Sequence, residues 1–185
     1  LRTVLWGDLH VHTSFSFDAV SYGNRLSPDD AHRFARGEPV LLPPLDDNGV
    51  GTRSVQLDRP LDFVAVTDHG EFLGEVAICM TEGMAGYESE TCQDFRSENS
   101  NGAFDFGMLL ASMAPRRFAD ICGEDGQRCV EAARPRWQAM QAGDCVAGLL
   151  SEAFAAMERE AGCSELTTEP DPWNDYQGGV YMADR

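Results

Sequence analysis

Residues 61–67, LDFVAVT, form one uninterrupted apolar run between Pro60 and the turn Asp68-His69-Gly70. A short run of this kind, rich in β-branched residues and bounded by breakers, predicts a strand buried on both faces, as in a parallel sheet. Upstream, residues 3–12, TVLWGDLHVH, predict another strand. Between the two, residues 28–36, PDDAHRFAR, predict a short helix. Ser27 is placed to cap it, Pro28 takes its first position, Asp29 and Asp30 fill the first turn, and Gly37 comes after the last. Strand, helical crossover, strand and then helices is the order of an α/β protein.

Working outward, residues 38–60 carry four prolines and predict an ordered-loop or hairpin insertion with a short strand at 53–57. Residues 78–102, rich in Gly, Ser, Glu and Thr, predict a second, long loop insertion pinned by Cys79 and Cys92. Helical periodicity returns at 103–121, 130–142 and 146–161, and the polar tail from 164 shows no closing element. His32 reads as a surface residue of the short helix, Trp6 as packing beneath the strand-end histidines, and Trp137 as a core anchor. Residues 1–185 read as a single domain.

The chain has 14 basic residues, all Arg, against 31 acidic ones, for a formal net charge of −17. Such a surface disfavours nucleic acid and anionic membranes, both of which reward Lys and Arg. No apolar stretch approaches the roughly 18 residues of a membrane helix, and nothing specifies an oligomer. Leu1 leads straight into a strand-like segment with no signal peptide, so the start reads as a processed or trimmed end. Cys79, Cys92, Cys122, Cys129, Cys145 and Cys163 include no Cys-x-x-Cys pair, the usual mark of structural zinc or thioredoxin-type chemistry. An even count in loop-rich sequence suits disulfides in an oxidising compartment, hence a secreted or periplasmic protein. Short loops cost least to close, so neighbour pairing is expected: Cys79 with Cys92, Cys122 with Cys129, Cys145 with Cys163.

The chemistry lies in residues 8–18, DLHVHTSFSFD. Alternation along a strand puts Asp8, His10 and His12 on one face, and two imidazoles on one face can hold a single cation. Thr67-Asp68-His69 stands at the end of the other strand. In a parallel sheet the two ends lie side by side, where α/β sites gather. Asp18 can return to the same crevice as an oxygen ligand. A mixed His and carboxylate set suits zinc, manganese or iron. Glu71, just beyond His69, either lines the pocket or is solvated.

These two segments, WGDLHVHTSFSFDA and RPLDFVAVTDHGEFLG, resemble the polymerase and histidinol phosphatase (PHP) superfamily, and within it most closely the DUF3604 family, which has no assigned function. The resemblance implies a distorted, TIM-like β/α barrel with a cluster of two or three metal ions at its C-terminal mouth. It implies that His10 and His12 share one metal and that Asp18 and His69 share another. Asp8 and Asp68 would then orient those ligands, or serve only as turn and capping groups. The superfamily completes its site with later ligands, whereas no histidine comes after His69 here. A full barrel also takes about 250 residues. The chain therefore reads as the amino-terminal portion of a longer barrel.

The expected activity is hydrolysis of a small-molecule phosphate or sulfate ester by a metal-activated water. Two other readings stand beside it: a metal-binding module without turnover, and an acidic, disulfide-stapled interaction domain that binds no metal.

Overall fold

A computed structural model describes residues 4–97, 102–113, 116–147 and 180–182. Strand β1 (Gly7–Val11) leads through helix α1 (Phe17–Ser21) and helix α2 (Pro28–Ala35) to a hairpin of β2 (Val40–Leu45) and β3 (Gly51–Val55). Strand β4 (Phe63–Val66) comes next, then α3 (Leu73–Cys79), α4 (Glu90–Arg96), α5 (Gly102–Leu110), α6 (Ala119–Cys122), α7 (Gln127–Ala147) and β5 (Val180–Met182). The fold is mixed α/β with two small sheets, and among the described residues no barrel closes.

β4 is the centre of the main sheet, parallel to β1 on one side and antiparallel to β5 on the other. Val64, Ala65 and Val66 are buried, as a strand flanked on both sides requires. β1 lies at the edge. Its start is tied to β4 by a reciprocal pair: the Trp6 N–H donates to Asp62 Oδ2 (2.7 Å) and the Asp62 N–H to the Trp6 carbonyl (2.7 Å). Between Asp8 and Val11 the register slips, because β1 takes three steps where β4 takes two from Val64 to Val66. His10 and His12 nonetheless stay on one side of the strand, with their rings stacked. Trp6, expected to pack beneath the site, is instead 63% exposed at this edge.

α2 begins where expected. Ser27 accepts from the Asp30 N–H, and Asp30 accepts from the Ser27 N–H, a reciprocal capping box with Pro28 inside the first turn. Its buried face is Pro28, His32 and Ala35, spaced as one helical stripe turned toward β4 and α7. His32 is thus buried, not the surface residue expected: the helix turns its apolar side inward and the histidine falls on that side. Residues 38–60 form the β2–β3 hairpin. Its tip is held by Asp46, whose carboxylate accepts from the Asn48 and Val50 N–H groups.

The expected long loop over 78–102 carries α4, capped by the Ser89 hydroxyl accepting from Cys92 N–H. The helix expected over 103–121 is split into α5 and α6, and α7 continues the 130–142 pattern to Ala147. β5 supplies a closing strand that the polar tail did not announce.

The main core lies on the helical side. Phe17, Phe72, Phe95, Phe106 and Phe118 pack ring on ring at centroid distances of 4.6–6.1 Å. Every residue of α3 is buried. Gly74 lets α7 come close, since a Cβ there would collide with the Cys129 carbonyl. Two disulfides, Cys79–Cys92 and Cys122–Cys129, staple this core as neighbour pairing predicts. The expected Cys145–Cys163 bond and the helix over 146–161 lie largely outside the described residues. Trp137 is buried against Leu73, Ala133 and Met140.

One buried charge has no counterpart in the sequence reading. Glu75, 0% exposed on α3, accepts from Arg117 Nη1 at both oxygens (3.0 and 2.9 Å) and lies 3.2 Å from Cys122 Sγ. That sulfur is disulfide-bonded and has no proton to donate. Desolvation pushes the Glu75 carboxyl above its ordinary range, against the pull of Arg117. Keeping it ionised therefore costs stability above that range and nothing at acid pH, where the group is protonated folded or unfolded. Arg117→Ala should destabilise by about 2–3 kcal/mol near neutrality, somewhat less than a fully buried pair because Arg117 is partly exposed. The loss should shrink as the pH falls toward ~4, measured by urea unfolding against the parent at each pH. Opening Cys122–Cys129 should cost about 2.5 kcal/mol, and Cys79–Cys92, with its longer loop, about 3 kcal/mol by loop entropy. Thermal unfolding of the two double Cys→Ala variants checks this order.

Candidate metal centre

The parallel pairing of β1 and β4 delivers two loop starts to one edge. Thr67 N–H donates to the Val11 carbonyl (2.8 Å), and Val11 N–H donates to Thr67 Oγ1 (3.1 Å). Immediately beyond, Asp68 clamps Thr13: Thr13 N–H donates to Asp68 Oδ1, and Thr13 Oγ1 donates to Oδ2 at 2.6 Å. Both residues are buried, at 2% and 1% exposure. Burial pushes the Asp68 carboxyl up, and the Thr13 hydrogen bonds only partly restrain it. Arg136 of α7 sits 4.5 Å over the Phe15 ring of the same loop. Burial lowers its pKa to about 10, while the nearby Asp68 carboxylate pulls the other way.

This clamp turns the 13–16 segment back over β4. The Ser16 hydroxyl accepts from the His69 N–H (3.0 Å), which leaves its own proton for Asp18 or for His12 Nδ1 at 3.5 Å. Asp18, in the first turn of α1, brings Oδ2 to 2.9 Å from His12 Nδ1 and to 3.7 Å from His69 Nε2. His12, Asp18 and His69 thereby offer three donor atoms within 4.8 Å of one another. Burial pushes the Asp18 carboxyl up, but hydrogen bonds from Ser16, His12 and the Ala19 N–H outweigh it and hold it below its ordinary value.

Each further residue of the sequence-predicted set has a defined place. His10 stacks on His12 with ring centroids 4.7 Å apart, outside the converging trio. Glu71 Oε2 lies 3.2 Å from His69 Nδ1, so a proton on Nδ1 directed at Glu71 leaves Nε2 as the basic nitrogen facing Asp18. Asp8 is used locally, its Oδ1 accepting from the His10 N–H at 2.9 Å. Asp68 reaches Thr13, as described.

Sequence reasoning passes over Thr13, Ser16, Asn24 and Phe17. Asn24 Nδ2 donates to the His12 carbonyl (3.1 Å), and the Phe17 ring lies 4.8 Å from that of His69. The available signal is the short hydroxyl-rich stretch Thr13-Ser14-Phe15-Ser16 between two candidate ligands.

Side-chain exposures of 18% for His12, 34% for Asp18 and 32% for His69 leave the trio open on one side. Two imidazoles and an ionised carboxylate converging on one point, with a fourth side accessible, fit a divalent transition metal ion. The only other group of His, Cys or acidic side chains so placed among the described residues is Glu75 with Cys122 and Cys129, whose sulfurs are joined in a disulfide. The Thr13–Asp68 clamp supports the whole loop. Asp68→Ala should cost about 2 kcal/mol by leaving buried Thr13 donors unpaired, and chemical denaturation of the variant measures it.

No described helix is long and apolar enough to cross a membrane. No curated protein and no solved structure matches the sequence. The family of proteins of unknown function DUF3604 matches residues 1–144, which include every residue of the candidate centre. The chain belongs to the DUF3604 family.

Proposed function

We propose that this chain carries the metal-binding end of a metal-dependent hydrolase acting on phosphate or sulfate monoesters, with His12, Asp18 and His69 holding a zinc, manganese or iron ion. The observation that carries the reading is the convergence of their three donor atoms within 4.8 Å at the shared edge of two parallel strands. The likeness of both segments to the PHP superfamily supports the reaction class, and with it a distorted barrel completed by further chain. Two disulfides support an oxidising, extracytoplasmic setting.

A bound ion of this kind supplies Lewis acidity, which activates water and offsets negative charge on an ester oxygen. The chain's own contribution is positional. Asp18 stays ionised and brings one negative charge to the ion. Glu71 fixes the His69 tautomer, Ser16 ties the His69 backbone to the β1–α1 loop, and Asp68 holds that loop through Thr13. His10, exposed and stacked on His12, would meet a second ion or the ester group.

Elemental analysis of the dialysed protein tests the site. One or more equivalents of transition metal are expected in the parent and none in His12→Ala/His69→Ala. Metal in neither protein overturns the reading and favours the acidic, stapled interaction domain. Glu71→Gln should weaken metal affinity about 10–100-fold while leaving its identity unchanged, as loss of a partner to a ligating histidine typically does. Competition with a chromophoric chelator measures this. A metal-loaded protein with downstream chain supplied should hydrolyse an aryl phosphate or sulfate. The same protein inactive on both would reduce the reading to metal binding alone.

A further inference from the structure

Beside the metal centre, between the edge of β1 and α2, runs a cleft of about 530 Å³. His10 and His12 form part of its wall, and Leu26, Phe34, Leu57 and Leu61 form much of the rest. The size falls in the range of small-molecule pockets, about 300–1,000 Å³. Among the described residues, Asp8 is its one carboxylate, and no Arg lines it. A leaving group bearing further phosphates or carboxylates would find no cation there, and the chain's charge of −17 would repel it. An apolar group would instead leave water for aliphatic and aromatic side chains, directly beside two of the histidines.

We propose that this cleft seats the alcohol portion of the ester, so that the substrate class is a phosphate or sulfate monoester of a neutral, hydrophobic alcohol. The proposal rests on the hydrolase reading for its ester group, and on the cleft alone for its alcohol. Leu57, only partly buried in the segment between β3 and β4, determines specificity from one wall, and Phe34 of α2 from another. A second copy of this chain or another segment of protein seated on the same apolar edge is the competing occupant.

Calorimetry on the zinc-loaded protein with two non-hydrolysable anions separates these. Naphthylmethylphosphonate is expected to bind at least tenfold tighter than methylphosphonate. Leu57→Asp should abolish that difference while leaving zinc content unchanged, and Phe34→Ala should reduce it. Equal affinities for the two probes, or a preference that survives Leu57→Asp, would overturn the proposal. So would a parent dimer that Leu57→Asp converts to monomer with no change in probe binding, since the edge would then be an interface. Metal-free protein titrated with 1-naphthol reads the cleft by itself. If the parent binds no metal yet binds naphthol in a Leu57-dependent way, the hydrolase reading fails and the apolar-alcohol site stands; absence of naphthol binding overturns the site.

Discussion

Parallel pairing of β1 with β4 is the constraint on which the rest of the structure depends. Parallel strands finish at the same edge, so residues far apart in the chain leave the sheet together. Beyond the ladder itself, hydrogen bonds at both ends hold this alignment: the Trp6–Asp62 exchange at one end, the Val11–Thr67 exchange at the other, and then the Thr13–Asp68 clamp. Asp68 is the last of these and the most consequential. By taking both donors of Thr13 it replaces the ladder where the strands end, and it fixes the direction in which the β1–α1 loop departs. Asp18 reaches His12 and His69 because that loop is held. The convergence of His12, Asp18 and His69 is a consequence of how two strands stop.

The features legible in the sequence are those that depend on local rules. The apolar run at 61–67 and the mixed run at 3–12 announce strands, and the Ser27-Pro28-Asp-Asp start announces α2 by its capping chemistry. Both described disulfides join nearest neighbours, as loop entropy favours. Residues 1–144 carry the DUF3604 match that the two motif segments foreshadow.

The features hidden from it depend on tertiary context. The slip between Asp8 and Val11 cannot be read from alternation, since a bulge is defined by a partner strand. His32 is misread from sequence because a polar residue on a short helix is ordinarily solvated. Only the packing of Pro28 and Ala35 on the same stripe puts it inside. Glu75 is invisible for the same reason: a carboxylate between Gly74 and Val76 reads as a solvated helix position until Arg117, distant in the chain, arrives to meet it.

Two clusters of metal-competent side chains occur among the described residues, and their contrast bears on what kind of site this is. Glu75, Cys122 and Cys129 are fully buried, and the two sulfurs are committed to a disulfide, so that cluster serves the core. His12, Asp18 and His69 keep a face toward solvent and offer three ligands, not four. Structural zinc sites are closed tetrahedra of protein ligands, whereas sites that act on an exogenous group keep a position open. One of the three, His12, also lines a cleft walled in large part by Leu26, Phe34, Leu57 and Leu61. Rigidity comes from behind: Phe17 touches His69 on one side and the phenylalanine stack on the other, so the packed core backs the histidine that must not move. An arrangement with a packed floor, an ionised carboxylate and an open fourth side suits the handling of a small ligand better than the locking of a fold.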